Sequence, residues 1–423
     1  MLDPKRIRND AEAVKAGLAA KNHDPASVDR WLERDAERRD LLTRVEALKS
    51  ERNTASKAIG KVKQGGGDAS SEQERLRTLG EEIKSIDERV REVDAELHEL
   101  AQWFPNPPHA SVPVGGEEAN RVLRTWGEPV RHDFDAKQHD ELGAALGLSE
   151  FERAARMSGT GFIVLRGNGA RLSRALVNFM LDLHTREHGF EEIAVPYLVK
   201  PETLFATGQL PKLAEDMYRT DEDGLYLIPT AEVSITNLYR EETLAEEDLP
   251  RCFVGHSACF RREAGSHGKE TRGLTRVHQF DKVEMVKFVH PDAAYDELES
   301  LLAAAEAVLQ SLGLAYRVVL LASGDLSFAA AKCYDLEVWA PGAERWLEVS
   351  SCSVFEDFQA RRAGIRFKPA GGGKPEFVHT LNASGLALPR TLIAVLETYQ
   401  TADGAVTLPE VLHPYLGGLT ELR

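Results

Sequence analysis

Apolar residues recur at steps of three and four through two stretches near the start of the chain. This spacing is the a/d pattern of a coiled-coil seam, so each stretch predicts a long amphipathic helix. The seam positions of the later stretch are Leu76, Leu79, Ile83, Ile86, Val90, Val93, Leu97 and Leu100. Those of the earlier stretch are Leu41, Val45, Leu48, Ala55, Ile59 and Val62, with Arg52 in the slot between Leu48 and Ala55.

The segment between the two stretches, KQGGGDASS from Lys63 to Ser71, predicts a reversal of the chain. Its glycines weaken a helix, and Asp68, Ser70 or Ser71 can cap the start of the next one. We therefore expect an antiparallel hairpin over residues 27–104, with its tip near residues 64–71. At 1.5 Å per residue, its arms would be about 45 Å long.

The predicted hairpin carries an uneven positive charge. Between Arg44 and Lys63 the only acidic residues are Glu46 and Glu51. Such a run is typical either of a solvated coiled-coil face or of an arm that follows a nucleic-acid backbone. The basic residues are Arg44, Lys49, Arg52, Lys57, Lys61 and Lys63.

A change of pattern after Leu100 marks a domain boundary, because the prolines of AQWFPNPPHASVP forbid further helix. Beyond it, short β-branched runs such as FIVL and RWLEVSSCSVF mix with amphipathic helices such as ARLSRALVNFMLDLHTREHG, without regular alternation. This predicts an α+β fold in residues 105–423, with an antiparallel β-sheet core flanked by helices. Residues 1–104 would form the separate N-terminal domain with the two-helix coiled-coil arm.

The composition of the chain restricts its predicted binding partners and cellular compartment. The net charge of −16 and the pI near 5.4 argue against nucleic-acid binding over the whole surface, although a local basic site is compatible with them. The cysteines Cys252, Cys259, Cys333 and Cys352 lack C-x-x-C spacing and are expected to be reduced core residues. The chain shows no signal-peptide core and no apolar run of the about 20 residues that span a bilayer. We therefore predict a cytoplasmic protein without a membrane partner.

Positive charge is concentrated in FRREAGSHGKETRGLTRVHQFDKVEM, from Phe260 to Met285. If ACFRRE and TRVHQFDKVEMVKF form an antiparallel strand pair, alternate residues share one face, and Ala264 to Gly273 form a loop. Arginines, carboxylates and an aromatic ring on one face suit a nucleotide, whereas an exposed face with cross-strand ion pairs is the alternative. The residues on that face would be Cys259, Arg261, Glu263, Arg276, His278, Phe280, Lys282 and Glu284.

Two later stretches favour a nucleotide site over an exposed face with cross-strand ion pairs. In RWLEVSSCS, Glu348 alternates with Ser350, which places a carboxylate beside hydroxyls, and such oxygen ligands suit Mg²⁺ on phosphates. In HTLNASGLALPRTLIAVLE, a strand is predicted to end at a glycine and a helix to begin near Pro389. Arg390 would then lie at a helix start, where its side chain and the helix dipole both attract an anion.

The ordered set of stretches resembles the class II aminoacyl-tRNA synthetases, and specifically the bacterial type of seryl-tRNA synthetase. HGFEEIAVPYLVKPE resembles motif 1, whose proline, here Pro196, lies at the dimer interface of the family. The charged stretch resembles motif 2, and GLALPRTLIAVLE resembles motif 3. The resemblance covers nearly the whole chain, including the hairpin, IPTAEVSITNL and LPEVLHPYLGG. Departures from the family pattern are Arg262, His267 and Leu416.

The resemblance implies site residues by position. Arg261, Arg390 and Glu348 would be catalytic, and Glu348 with Ser351 would hold Mg²⁺. Residues implied to bind ATP are Arg261, Arg262, Glu263, Val277, Phe280, Glu348, Val349, Ser350, Ser351 and Arg390. Residues implied to bind serine are Thr230, Ala231, Glu232, Arg261, Glu284, Asn382 and Ser384. No clear Cys/His set is present, so zinc is not expected.

The implied activity is serine–tRNA ligation by a homodimer. L-Serine and ATP would give seryl-adenylate and pyrophosphate, and the seryl group would pass to the 3′-terminal adenosine of tRNA(Ser), with tRNA(Sec) as a second candidate acceptor. One alternative is a related ligase that charges a carrier protein, but such relatives lack the long arm. An inactive RNA-binding paralogue would lack the arginines or the TAE sequence, and this chain has both. A coiled-coil interaction protein would bind no ATP.

Overall fold

The computed structural model describes residues 1–66, 68–264 and 272–423. The described chain divides into two compact units, Met1–Pro105 and Asn106–Arg423. His267 and most of the predicted loop from Ala264 to Gly273 lie outside the described residues. In the part that is described, no helix has both the length and the apolar character needed to cross a membrane.

Helices dominate the first unit and flank the sheet of the second. In chain order they are α1 (Pro4–Asn9), α2 (Ala11–Ala20), α3 (Ala26–Gln64), α4 (Ser70–Gln102), α5 (His139–Ala145), α6 (Phe151–Ser158), α7 (Asn168–Arg186), α8 (Pro201–Thr207), α9 (Glu232–Thr236), α10 (Ala294–Ser311), α11 (Phe358–Ala363) and α12 (Leu388–Thr398). Short 3₁₀ helices cover Glu117–Ala119, Ala214–Asp216, Asn237–Tyr239, Glu246–Asp248, Pro291–Ala293, Glu410–Leu412 and Pro414–Leu416.

The strands all belong to the second unit. They are β1 (Arg121–Trp126), β2 (Ser149–Glu150), β3 (Val164–Leu165), β4 (Glu191–Glu192), β5 (Leu198–Val199), β6 (Tyr226–Leu227), β7 (Thr243–Ala245), β8 (Arg251–Phe260), β9 (Gln279–Val289), β10 (Tyr316–Leu320), β11 (Lys332–Ala340), β12 (Arg345–Glu356), β13 (Arg366–Lys368), β14 (Glu376–Phe377), β15 (His379–Ala387), β16 (Val406–Thr407) and β17 (Glu421–Leu422).

The predicted hairpin is formed by α3 and α4. Val45, Ile83 and Ile86 are buried together at its seam, as the a/d spacing requires. The N-cap of α4 is Ala69, which is none of the three predicted residues. Asp68, the residue before it, accepts the backbone N–H of Ser70 on Oδ1 at 3.0 Å and so contributes a bond to the first turn.

The basic run of the hairpin divides into two parts. Arg44 pairs with Glu82, and Lys49 pairs with Asp87 at 3.1 Å, so these cations link α3 to α4. Nearer the tip, three exposed lysines have no carboxylate within ion-pair distance among the residues that the structure describes. They are Lys57, Lys61 and Lys63.

The core of the second unit is an eight-stranded sheet with the order β1-β10-β11-β12-β15-β9-β8-β4. Its neighbouring strands are antiparallel except for the parallel pair β4 and β8. Helices α7, α10 and α12 bury their apolar faces in one core cluster with residues of these strands. The predicted antiparallel sheet flanked by helices is therefore confirmed.

Strand β9 separates the apolar core from a polar surface. Val283 and Met285 pack in the core with α7, α10 and α12, whereas the alternating residue Val286 packs in a second core cluster. Even-numbered residues nearer the start of β9 share the face of Val286, and the prediction that they share a face is confirmed. They are Phe280, Lys282 and Glu284.

A β-bulge in β12 changes which hydroxyl accompanies Glu348. Glu348 and Ser350 pair with consecutive residues of β11, so Val349 is an extra residue in β12. Ser351 therefore faces the same side as Glu348. Ser350 is buried, and its Oγ donates to the carbonyl of Ser384 at 2.5 Å. The predicted alternation of Glu348 with Ser350 is wrong at this bulge.

The motif 2 strands are shorter than predicted. β8 ends at Phe260, and β9 begins only at Gln279. Glu263 has a φ of +53°, in the left-handed region, so the strand period of two does not extend to it. The strand β15 runs on to Ala387 through a bulge that contains Gly385, so the predicted strand end at a glycine is also wrong.

Candidate active site

A cavity of about 500 Å³ opens on the polar face of the sheet. This volume is in the range of small-molecule sites, and all its lining residues belong to the second unit. The predicted site residues in its wall are Thr230, Glu232, Arg261, Glu263, Val277, Phe280, Glu348, Val349, Ser351, Asn382, Ser384 and Arg390.

Four predicted site residues are not in this wall. Glu284 is fully buried below it and hydrogen bonds to residues of the wall. Ala231 packs in the second core cluster. The backbone N–H of Arg262 donates to the carbonyl of Asp216 at 3.0 Å. Ser350 bonds to β15, as described above.

Two buried carboxylates lie at one end of the cavity and are called its floor here: Glu232 lines the cavity, and Glu284 lies beneath the wall residues Thr230 and Asn382. Asn382 Nδ2 donates to Glu284 Oε1 at 2.6 Å and to Glu232 Oε2 at 3.3 Å. Thr230 Oγ1 donates to Glu284 Oε2 at 3.2 Å. Strand β9 supplies Glu284, the neighbouring β15 supplies Asn382, and Glu232 begins α9. Fixed donors therefore hold both carboxylates in place.

The floor is negatively charged and only partly neutralised. Lys282 forms a buried ion pair with Glu284. Burial, and then the charge of Glu284, raise the pKa of Glu232 to about 7, although a hydrogen bond from Gln359 and the charges of Lys282 and Arg261 oppose the rise. A cation bound beside Glu232 would lower that pKa, so the floor suits an ammonium group. Lys282 was not among the predicted site residues, although its place on the shared face was predicted.

Arg261 lines the cavity near the floor residue Glu232. Its guanidinium Cζ is 5.1 Å from the centroid of the Phe280 ring, and its charge affects Glu232. Its Nε donates to the carbonyl of Pro229 at 3.5 Å. His278, which was predicted to share the face of Phe280, does not line the cavity; its Nδ1 is 3.0 Å from the carbonyl oxygen of Arg261. His278 therefore fixes the backbone that carries Arg261.

Two ion pairs lie in the wall of the cavity. Arg276 pairs with Glu263. Arg390 donates from one terminal nitrogen to Glu348 Oε2 at 3.1 Å and to the Glu348 carbonyl at 2.6 Å. Because α12 begins at Leu388, Arg390 lies in its first turn, as predicted. Both arginines border the cavity, where an anion can compete for them.

Asp335 also lines the cavity and was not predicted from the sequence. It lies on β11 opposite Ser351. Burial, and then the charge of Glu348, raise the pKa of Asp335 well above its usual range. A divalent cation would remove this repulsion, and two carboxylates with a hydroxyl are ligands that Mg²⁺ prefers. Among the described residues, no group of three or more His, Cys, Asp and Glu side chains could hold a metal ion.

Comparison with known proteins identifies relatives along the whole chain. Residues 1–108 match the family model of the seryl-tRNA synthetase N-terminal domain, and residues 214–399 match that of the tRNA synthetase class II core domain (G, H, P, S and T). The serine–tRNA ligase of Geobacter sulfurreducens is 53% identical over 426 residues, with all of both chains covered. That of Geobacillus kaustophilus is 52% identical over 424 residues, again with full coverage of both.

Two solved structures are also similar to this chain over its whole length. The seryl-tRNA synthetase from Pyrococcus horikoshii, complexed with ATP, is 36% identical, with a TM-score of 0.96 over 100% of this chain and 99% of that one. The cytoplasmic serine–tRNA ligase from Naegleria fowleri, in complex with AMP, is 29% identical, with a TM-score of 0.91 and the same coverage.

Proposed function

The chain belongs to the seryl-tRNA synthetase family of class II enzymes, and we propose that its cavity joins L-serine to ATP as seryl-adenylate and then transfers the seryl group to tRNA(Ser). One observation carries the assignment of the reaction to this cavity. A single cavity is bordered by buried carboxylates and by arginines, and Arg261 in its wall both opposes the rise in the pKa of Glu232 and lies over the ring of Phe280.

The floor would select the amino acid. Glu232, assisted by Thr230, would bind the serine ammonium group, and Arg261 would bind the carboxylate. Glu284 would accept the serine hydroxyl, with Asn382 and Ser384 beside it. Alanine would leave the buried carboxylate of Glu284 without that donor, which is a strong basis for rejection. Threonine would be excluded by its extra methyl group.

ATP would occupy the remainder of the cavity. Phe280 would stack on adenine. Glu263 would accept a hydrogen bond from the exocyclic amine of adenine, and the backbone of Val277 would contribute further contacts. Arg261 would bind the α-phosphate, and Arg390 the γ-phosphate. Mg²⁺ would be held by Glu348 and Ser351 with Asp335, and would supply positive charge to the polyphosphate.

Activation of serine needs no general base in this arrangement. The serine carboxylate is ionised at neutral pH and can attack the α-phosphorus directly. The bond from the α-phosphorus to the β-bridging oxygen breaks, and pyrophosphate leaves. Arg261 and Arg390 stabilise the developing negative charge because they are already in place. The 3′-hydroxyl of the terminal adenosine of the tRNA then attacks the seryl carbonyl and releases its proton to water. The bond from that carbonyl carbon to the phosphate oxygen breaks, and AMP leaves.

We further propose that residues 1–104 are the tRNA-binding domain and residues 105–423 the catalytic domain. The three exposed lysines near the hairpin tip, Lys57, Lys61 and Lys63, would contact tRNA phosphates, whereas Arg44 and Lys49 pair with α4 and stabilise the hairpin itself. The carrier-protein ligase and the inactive paralogue are disfavoured, because full-length relatives are serine–tRNA ligases and the arm matches their N-terminal domain. Charging of tRNA(Sec) stays a hypothesis that an aminoacylation assay with that tRNA decides.

A cytoplasmic homodimer is also proposed. Pro196 is followed by Tyr197 and Leu198, which are 38% and 48% exposed, so an apolar surface is available at the motif 1 segment. Its cysteines are free thiols in the structure, consistent with a reducing compartment. Sedimentation velocity at micromolar concentration should give a dimer, and a monomer would contradict the proposal.

Replacement of Arg390 by alanine should reduce serine-dependent ATP–pyrophosphate exchange by about 10²-fold or more, as expected for loss of a preorganised charge at the transition state. The matched control is Arg156→Ala, since Arg156 is an exposed arginine of α6 outside the cavity. Exchange by the Arg390→Ala chain at the wild-type rate would refute the assigned role.

Replacement of Asp335 by asparagine should raise the Mg²⁺ concentration for half-maximal exchange several-fold, because one anionic ligand is lost. Saturating Mg²⁺ should restore most of the rate. Glu376→Gln, which alters an exposed carboxyl group outside the cavity, is the control. An unchanged Mg²⁺ titration would remove Asp335 from the metal site.

Replacement of Lys57, Lys61 and Lys63 together by alanine should lower kcat/KM for tRNA by about tenfold or more at physiological salt. The slope of log affinity against log salt should become shallower by about two to three units, about one unit per lost phosphate contact. Pyrophosphate exchange should be unchanged. The control is the triple alanine variant of Lys200, Lys368 and Lys374, exposed lysines of the second unit. Equal charging by the two variants would contradict our account of the arm.

A further inference from the structure

Gln359 lies next to the carboxylate floor but outside the set of residues assigned to substrates. It belongs to α11 and is completely buried. Its Nε2 donates to Glu232 Oε1 at 2.7 Å and to the carbonyl of Thr207 at 3.3 Å. Its Oε1 accepts the hydroxyl of Thr380, also completely buried, at 2.7 Å. One amide group thus joins Glu232, the end of α8 and β15.

The orientation of this amide is determined by its partners. An ionised carboxylate and a backbone carbonyl can only accept hydrogen bonds, so the NH₂ group must face Glu232 and Thr207. The Thr380 hydroxyl donates to the remaining oxygen and opposes rotation of the amide. The alternative orientation would place an oxygen against two acceptors in a site without exposed surface, which is costly.

Glu232 depends on such donors because its surroundings are unfavourable for a negative charge. Burial and the neighbouring carboxylate of Glu284 disfavour the ionised form. The cations Lys282 and Arg261 and the hydrogen bond from Gln359 favour it. Asn382 also donates to Glu232, but at 3.3 Å, compared with 2.7 Å for Gln359. Gln359 is thus the closer of these two donors.

We propose that Gln359 is a positioning residue for serine, which keeps the carboxylate of Glu232 ionised and oriented to receive the substrate ammonium group. The bond to Thr207 also ties Glu232 to the segment that continues into Gly208 and Gln209, both in the cavity wall. This inference rests on the proposed role of Glu232 as the serine ammonium ligand.

The proposed role of Gln359 predicts in which direction the pH dependence of kcat/KM for serine shifts when this donor is lost. With a pKa of about 7, Glu232 in the free protein is ionised above that pH and protonated below it. Only the ionised form attracts an ammonium group, so kcat/KM for serine should fall up to tenfold per pH unit below about pH 7. Loss of the Gln359 donor raises the pKa further, which moves this decline to higher pH.

The test compares Gln359→Met with the wild-type chain in serine-dependent ATP–pyrophosphate exchange from pH 6 to 9. Methionine has a similar length, is unbranched and carries no donor. We expect kcat/KM for serine to fall about tenfold or more near pH 7 and to recover to within a few-fold by pH 9. The KM for ATP should change less than twofold. The ratio of variant to wild type removes any effect from titration of serine itself.

Two variants at Thr380 provide an independent measurement if Gln359→Met does not fold. Thr380→Val removes the hydroxyl that orients the amide, and should move the pH profile in the same direction by a smaller amount. Thr380→Ser keeps the hydroxyl and should retain the wild-type profile. If Gln359→Met folds, a uniform loss at every pH or an unmoved pH profile in that variant would overturn the inference. If it does not fold, an unmoved profile in Thr380→Val would do so.

The substitution Glu232→Gln separates this inference from the proposed function. If the floor is assigned correctly, Glu232→Gln raises KM for serine strongly and removes the pH dependence between 6 and 8. If KM for serine is unchanged in Glu232→Gln, the assignment of Glu232 is wrong, and the inference falls with it. If Glu232→Gln behaves as expected but Gln359→Met leaves the pH profile in place, only the role of Gln359 is refuted.

Discussion

The burial of Glu232 and Glu284 side by side is the constraint on which the site depends. Asn382 donates to both, so the two carboxylates are close neighbours away from water. Such a pair is tolerable only if cations and oriented donors surround it, because each unpaired buried charge costs several kcal/mol. Within the protein, Lys282 supplies a cation to Glu284, and Gln359 supplies an oriented donor to Glu232. The serine ammonium and hydroxyl groups would complete it, which links substrate recognition to the electrostatics of the fold.

The sheet supplies the precision that this arrangement requires. Neighbouring strands β9 and β15 bring Glu284 and Asn382 together, and their opposite faces pack against a large core. The bulge at Val349 turns both Glu348 and Ser351 toward the cavity, which a regular strand could not do. Glu284, Asn382, Glu348 and Ser351 therefore lie on strands, where backbone pairing fixes their positions.

Much of this could be predicted from the sequence, and the remainder has physical reasons. Apolar spacing predicted α3 and α4, and period-two alternation placed Phe280, Lys282 and Glu284 on one face. Alternation failed at Glu263 because β8 ends before it, and at His278 because β9 begins after it. It failed at Ser350 because of a bulge, which leaves no signal in the sequence. Asp335 and Gln359 were missed because their importance arises from strand register and helix packing between distant segments. The resemblance identified the wall residues more completely than local patterns did.

The central claim is that the carboxylate floor recognises serine by its hydroxyl group. The most direct measurement is ATP–pyrophosphate exchange by the wild-type chain with serine and with alanine, compared as kcat/KM. A site built to accept a hydroxyl rejects the analogue that lacks it by about 10⁴-fold or more, and this is the result we expect. A ratio of about 10² or less would mean that the cavity senses only size, and would contradict the assignment of Glu284.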